Sequence, residues 1–263
     1  MGASFKTFTQ GASLIALSLL ISRTASGQTD EIQVYDAGIA DVGVFNLTWH
    51  NNFTPVGVKE PAFPGAFSNN HTLNGVTEWA YGVTPWFEAG LYLPLYSISP
   101  DRGATINGGK IRLLFVRPHA DDHKFFYGMN FEFSYNSAHW DPRRYTSEIR
   151  PIVGWHLKPV DIIFNPILDN SYYGGPKSLD FAPATRVAYN VKDKFALAIE
   201  HYADFGPLRN IAPGRDQFHQ VYGVFDKSTK FCDIEAGIGF GLNSSSDRVT
   251  LKLLLSKDLN PKK

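Results

Sequence analysis

Between residues 127 and 136 every second side chain is apolar. Tyr127, Met129, Phe131, Phe133 and Tyr135 alternate with Gly128, Asn130, Glu132, Ser134 and Asn136. A two-residue period puts one set on one face of a β-strand and the other set on the opposite face. The same alternation recurs along the chain and predicts about twelve strands, over 44–53, 72–81, 86–96, 110–117, 127–136, 148–157, 161–168, 181–190, 195–204, 218–225, 233–243 and 248–255. No helical period competes with it.

The connections sort by length. Short ones fall at 82–85, 118–124, 158–160, 191–194 and 226–230. Those between them are longer, at 54–71, 97–109, 137–147, 169–180 and 205–217, with a brief 244–247. A soluble sandwich has no reason to sort its loops this way, whereas outer-membrane barrels place short turns in the periplasm and long loops outside. The pattern therefore predicts an all-β fold, an antiparallel up-and-down transmembrane β-barrel of about 12 strands. An even strand count puts both termini on the periplasmic side. Aromatic residues gather near the short-turn ends (Trp79, Trp86, Phe115, Tyr127, Trp155) and again near the opposite ends (Trp49, Phe53, Phe133, Tyr135). Two such bands are the girdles expected at two lipid–water interfaces.

The polar face carries both signs of charge. Glu78, Glu88, Lys110, Arg112, Glu132, Glu148, Arg150, Arg186, Glu200, Glu235, Arg248 and Lys252 are expected to line a lumen. Charges removed from bulk water must be paired or solvated. Interleaved acids and bases satisfy this either as a network that stiffens a narrow barrel or as a charged path for a polar solute. Pro94, Pro151, Pro166 and Pro183 interrupt the strands, and each implies a lost ladder bond or a bulge.

The N-terminus adds export. Lys6, the apolar run 11–21 and the small residues Ala25-Ser26-Gly27 read as a signal peptide over 1–27, followed by a periplasmic segment over 28–41 and the barrel over 42–263. A formal net charge of +0 argues against nucleic acid as a partner. The single cysteine, Cys232, excludes an internal disulfide and reads as a strand-start residue.

Candidate chemistry is sparse. His119, Asp121, Asp122 and His123 share one turn that could hold a metal weakly, but a solvated turn is the simpler reading. His201 falls on the apolar face near an outer strand end, where an outer-membrane lipid hydrolase would place a catalytic His; no Ser stands out as its partner. The G-x-S-x-G, H-E-x-x-H and P-loop patterns are absent. No catalytic, metal or cofactor residue is assigned.

The runs EIQVYDAGIADVGVFNLTWHNNFTP, KEPAFPG, YGVTPWFEAGLYLPLY, RPIVGWHLKPVDIIFNPILD, FAPATRVAYNV and IEHYADFGP, with the closing strand after SSDR, resemble a family of proteobacterial outer-membrane barrels. Its members are known as transporters or as components of the MetA pathway of phenol degradation. The resemblance covers nearly the whole mature chain. It implies an outer-membrane barrel with a transport role and no catalytic residues. One departure is the ending Asn260-Pro261-Lys262-Lys263, where many such barrels carry a terminal aromatic residue read by the insertion machinery; the signal is then expected to be internal, or the tail an addition. The reading is a channel or transporter for a small aromatic or hydrophobic solute, in contact with outer-membrane lipid and lipopolysaccharide. The alternatives are a lipid hydrolase and a structural barrel with a plugged lumen.

Overall fold

A computed structural model describes residues 31–171 and 179–261. The signal-peptide reading falls on residues outside this range. Among the described residues, twelve antiparallel staves close on themselves. They are β1 (Phe45–Val56), β2 (Thr72–Thr84), β3 (Phe87–Ser99), β4 (Gly103–Val116), β5 (Phe125–Asn136) and β6 (Tyr145–His156), then β7 (Val160–Asn165, resuming as Leu168–Ser171) and β8 (Asp180–Phe181, resuming as Ala184–Lys192), and last β9 (Phe195–Asp204), β10 (Phe218–Ser228), β11 (Asp233–Gly241) and β12 (Val249–Asp258). Each stave pairs with its sequence neighbours, and β1 meets β12 from Asn46↔Asp258 to Val56↔Val249, which leaves no free sheet edge.

The alternation read at 127–136 holds in β5. Tyr127, Phe133 and Tyr135 are exposed, whereas Asn130 and Glu132 are buried inside the wall. The same inversion runs round the barrel, with Trp49, Ile111, Leu197, Ile199 and Phe240 all outward and exposed. A contiguous apolar exterior of this extent has no stable partner in water, and lipid supplies one. At the short-turn end the outward aromatics pack from stave to stave: Phe87 stacks on Phe115 at 4.8 Å between ring centroids, and Phe125 meets Trp155 at a tilt, at 5.5 Å.

Two expectations are corrected. Residues 97–109 are not a long loop; β3 and β4 extend until only residues 100–102 separate them. Ser97, Ser99 and Asn107 face inward and are buried while Ile98 and Ile106 face outward, so the strand alternation carries on almost to the turn and the length sorting fails at this connection. The strand-breaking effect of the prolines is also local. Pro94 sits at a register shift between β3 and β4, and Pro166 and Pro183 interrupt β7 and β8, but β6 runs unbroken through Pro151. Pairing explains why. On its β7 side β6 bonds at Ile149↔Leu168 and Val153↔Phe164, so Pro151 faces the interruption, where no ladder donor is required. Three prolines thus gather at one row of the wall. Ala182 N–H still donates to the Ile167 carbonyl across it, at 3.0 Å.

Two glycines are demanded by inward-facing rings. A Cβ on Gly154 would come within 2.1 Å of the Phe126 ring, and one on Gly239 within 2.3 Å of the Tyr222 ring. Each ring lies flat on the neighbouring backbone, which only glycine permits.

Candidate functional site

Residues 31–41, expected in the periplasm, run inside the barrel instead. Asp41 sits at the short-turn end, where its carbonyl accepts from Val44 N–H at 2.8 Å. From there the chain runs inward to Glu31. Ile32, Val34, Tyr35 and Ala37 are buried. Their partners are inward-facing apolar residues of the wall: Val34, Tyr35 and Ala37 meet Leu114, Phe126, Ile152 and Ile163, and Ile32 meets Ala188, Ala198 and Tyr222. An apolar segment and an apolar lumen patch exclude water from each other, which is why the segment is drawn in.

Polar contacts fix its position. The Asn165 side chain reads the backbone of Tyr35 twice, accepting from its N–H at 2.7 Å and donating to its carbonyl at 3.0 Å. Ala40 N–H donates to Glu88 at 2.6 Å, Arg150 donates to the Gln33 carbonyl at 3.2 Å, and Lys252 to the Ile32 carbonyl at 3.3 Å. The Tyr35 side chain is the centre of the arrangement. Its hydroxyl lies 2.6 Å from the Tyr92 hydroxyl and donates to Glu132 at 3.3 Å. The guanidinium groups of Arg150 and Arg112 lie over its ring, 4.3 and 5.5 Å from the centroid.

The lumen charges form two clusters around this segment. In the first, Arg112 pairs with Glu78 at 2.7 Å and with Glu88, Lys110 pairs with Glu132 at 3.3 Å, and Arg150 pairs with Glu148 at 2.6 Å and Glu31 at 3.6 Å. In the second, Arg186 pairs with Glu200 and Asp226, and Lys252 bridges Glu200 and Glu235, the latter at 2.5 Å. The structure therefore brings together eleven of the twelve charges read from the polar face. Arg248 departs: it lies exposed in the loop before β12, because that strand starts one residue later than its alternation suggests.

The segment does not fill the whole cross-section. A cavity of about 530 Å³ remains beside it at the short-turn end, against β10–β12 and β1, bordered by Asp36, Glu88, Arg112, Asp226, Glu235 and Asp258. Toward the long-loop end the lumen changes character, from charges to amides and hydroxyls. Asn107 donates to Ser97 at 2.7 Å, Ser97 to Asn74 at 2.5 Å, and Asn74 to Asn69 at 3.1 Å. Asn69 belongs to the β1–β2 loop, which reaches across the mouth: its Phe67 is buried beside Trp140 of the β5–β6 loop, with ring centroids 6.2 Å apart. Asp247, in the neighbouring β11–β12 loop, holds this loop, accepting from Val58 N–H at 2.8 Å and from the Asn69 amide. Burial pushes the Asp247 carboxyl above its ordinary range, with those two donors pulling the other way.

Tyr35, Tyr92, Tyr222, Phe126 and Asn165 are absent from the set read off the sequence. Strand parity was the available signal: Tyr92 is in phase with Glu88, and Tyr222 with Gln220, both inward. No local pattern announces that a segment preceding the barrel will enter it.

Among the described residues, the histidines singled out as candidates do not assemble with a nucleophile or into a metal-binding set of three or more. His201 faces outward and bonds to His219, not to a serine side chain; Ser246 Oγ, nearby, accepts from the His219 backbone N–H at 2.7 Å. His119, Asp121, Asp122 and His123 sit in a short turn, and among the described residues no group of three or more His, Cys, Asp or Glu is placed to hold a metal. Cys232 is a free thiol in the β10–β11 turn.

No family model matches the chain, and no curated protein sequence does either. Solved structures do. An outer-membrane channel from Pseudomonas putida F1 is 14% identical with a TM-score of 0.55, covering 87% of this chain and 100% of that one. The KdgM porin is 7% identical with a TM-score of 0.54, covering 82% of this chain and 99% of its own. The fold is that of an outer-membrane β-barrel.

Proposed function

We propose that this chain is an outer-membrane channel for small phenolic solutes, closed at rest by its own N-terminal segment, with the short-turn end facing the periplasm. One observation carries the solute class. Tyr35 is itself a phenol, held in the lumen by two guanidinium groups over its ring and by Tyr92 and Glu132 at its hydroxyl. A free phenol offers the same ring and the same hydroxyl, so it competes for the same groups. The inward apolar patch of Leu114, Phe126, Ile152 and Ile163 provides the adjoining surface along which such a ring moves without meeting bare charge. The resemblance to barrels of the MetA pathway of phenol degradation supports the same class, and the structural likeness to a channel and a porin supports passage.

Single-channel recording of folded protein in planar bilayers tests the reading. Tyr35→Ala should raise conductance above that of the wild type. Millimolar p-cresol, which is the tyrosine side chain as a free molecule, should block the Tyr35→Ala current by refilling the vacated place. Silence of both folded proteins would sink the channel reading. A conducting Tyr35→Ala protein indifferent to p-cresol would sink the phenolic one and leave the channel.

A further inference from the structure

On the outer face of the barrel, away from the lumen, two imidazoles meet at the long-loop rim. His201 of β9 alternates with inward-facing Glu200 and Tyr202, and His219 of β10 precedes inward-facing Gln220, so both project outward. Both are half-buried. Their ring planes differ by 6° with centroids 5.4 Å apart, and His201 Nε2 lies 3.3 Å from His219 Nδ1. The rings therefore face each other edge to edge.

The neighbours of His219 decide its proton. Its Nε2 lies 2.9 Å from the Gln217 side-chain carbonyl oxygen, which can only accept. Nε2 therefore carries the hydrogen and Nδ1 presents a lone pair toward His201. Phe205 packs edge-on against the same ring at 5.3 Å and limits its rotation. A carbonyl that fixes the tautomer of one imidazole, leaving its second nitrogen free, is the support that metal-binding histidines receive.

We propose that His201 Nε2 and His219 Nδ1 form a two-nitrogen site for a divalent transition-metal ion of the zinc and copper class. Two nitrogens held at about 2.0–2.1 Å by a tetrahedral ion are about 3.3–3.4 Å apart, which is the separation already present. The hydrogen that now lies between the two rings occupies the ion's place. On binding, the His201 proton moves from Nε2 to Nδ1 of the same ring, both rings stay neutral, and a small rotation of each brings its lone pair onto the ion. Water completes the coordination, since no third side-chain ligand of the described residues converges there. The site is independent of the channel reading.

Zinc alone, titrated into the folded full-length protein in detergent micelles and followed by calorimetry, should show one saturable site. Gln217→Leu should weaken it about tenfold. The pair His201→Asn with His219→Asn should abolish it, and the pair His119→Asn with His123→Asn should leave it intact; heat-modifiable migration checks that each variant is folded. Copper(II) bound to the wild type should give an electron-paramagnetic spectrum split by two imidazole nitrogens. Absence of a saturable site in the wild type, a spectrum with fewer than two nitrogens, or unchanged binding after both rim histidines are replaced would overturn the proposal.

Discussion

The hydroxyls of Tyr35 and Tyr92 meet at 2.6 Å in the middle of the lumen, one from the segment that enters the barrel and the other from its wall. Tyr35 also donates to Glu132, so the bond between the two hydroxyls is donated by Tyr92. Tyr35→Phe removes that shared bond and should loosen the segment by about 1 kcal/mol, a fivefold rise in spontaneous opening. Tyr92→Phe should do the same. The double variant should cost less than the sum, since either single change already removes the bond they share. Opening frequency in planar bilayers measures all three, and strict additivity would show that the two hydroxyls do not act on each other.

Lys252 joins two carboxylates, Glu200 and Glu235, and also donates to the Ile32 carbonyl. Its side chain is fully buried. Lys252→Met removes one of the two cations that hold Glu200 and Glu235 and leaves Arg186 as the other, for which about 1–3 kcal/mol of destabilisation is expected. Adding Glu200→Gln should recover part of it. The midpoint of urea unfolding of the micelle-bound barrel reports both effects, and an unchanged midpoint in Lys252→Met would mean that the cluster is not stabilising.

Much of this architecture was legible in the sequence because a barrel wall is local. Alternation at Tyr127 to Tyr135 specifies which face meets lipid, and the same alternation placed Glu78, Arg112, Glu200 and Lys252 inside. What failed was whatever depended on contacts across the lumen. Residues 31–41 contain apolar positions at Ile32, Val34 and Ala37, but only the inward patch formed by Leu114, Phe126, Ile152 and Ile163, drawn from β4 to β7, makes the interior their partner. Arg248 failed for the opposite reason: its parity was inward, yet the strand had not begun. The 97–109 segment misled because Gly103, Gly108 and Gly109 read as loop residues, while in the wall they sit in a strand whose register shifts beside Pro94.

Gly154 and Phe126 fit as ring on bare backbone. A methyl group at residue 154 would stand within 2.1 Å of the ring, so Gly154→Ala should cost about 1–3 kcal/mol through displacement of Phe126. Phe126→Leu shortens the obstruction. Combined with Gly154→Ala, it should be less harmful than the two changes summed, and the unfolding midpoint decides. Summed or greater damage would place the strain elsewhere.

Asp247 holds the β1–β2 loop across the mouth, through the Val58 N–H and the Asn69 amide. Asp247→Ala removes the acceptor from both. Loss of these two bonds to a buried carboxylate costs about 1–3 kcal/mol, which corresponds to a five- to 150-fold larger population of the undocked loop. The barrel wall does not depend on this contact, since β1 and β2 pair from Phe45↔Tyr81 to Thr54↔Thr72 without it. Proteolytic cleavage within residues 57–71 should therefore accelerate by that factor, while heat-modifiable migration of the barrel stays as in the wild type. Unchanged cleavage would show that Phe67 against Trp140 holds the loop without help from Asp247. A barrel that also loses heat-modifiable migration would show that loop and wall fold as one unit.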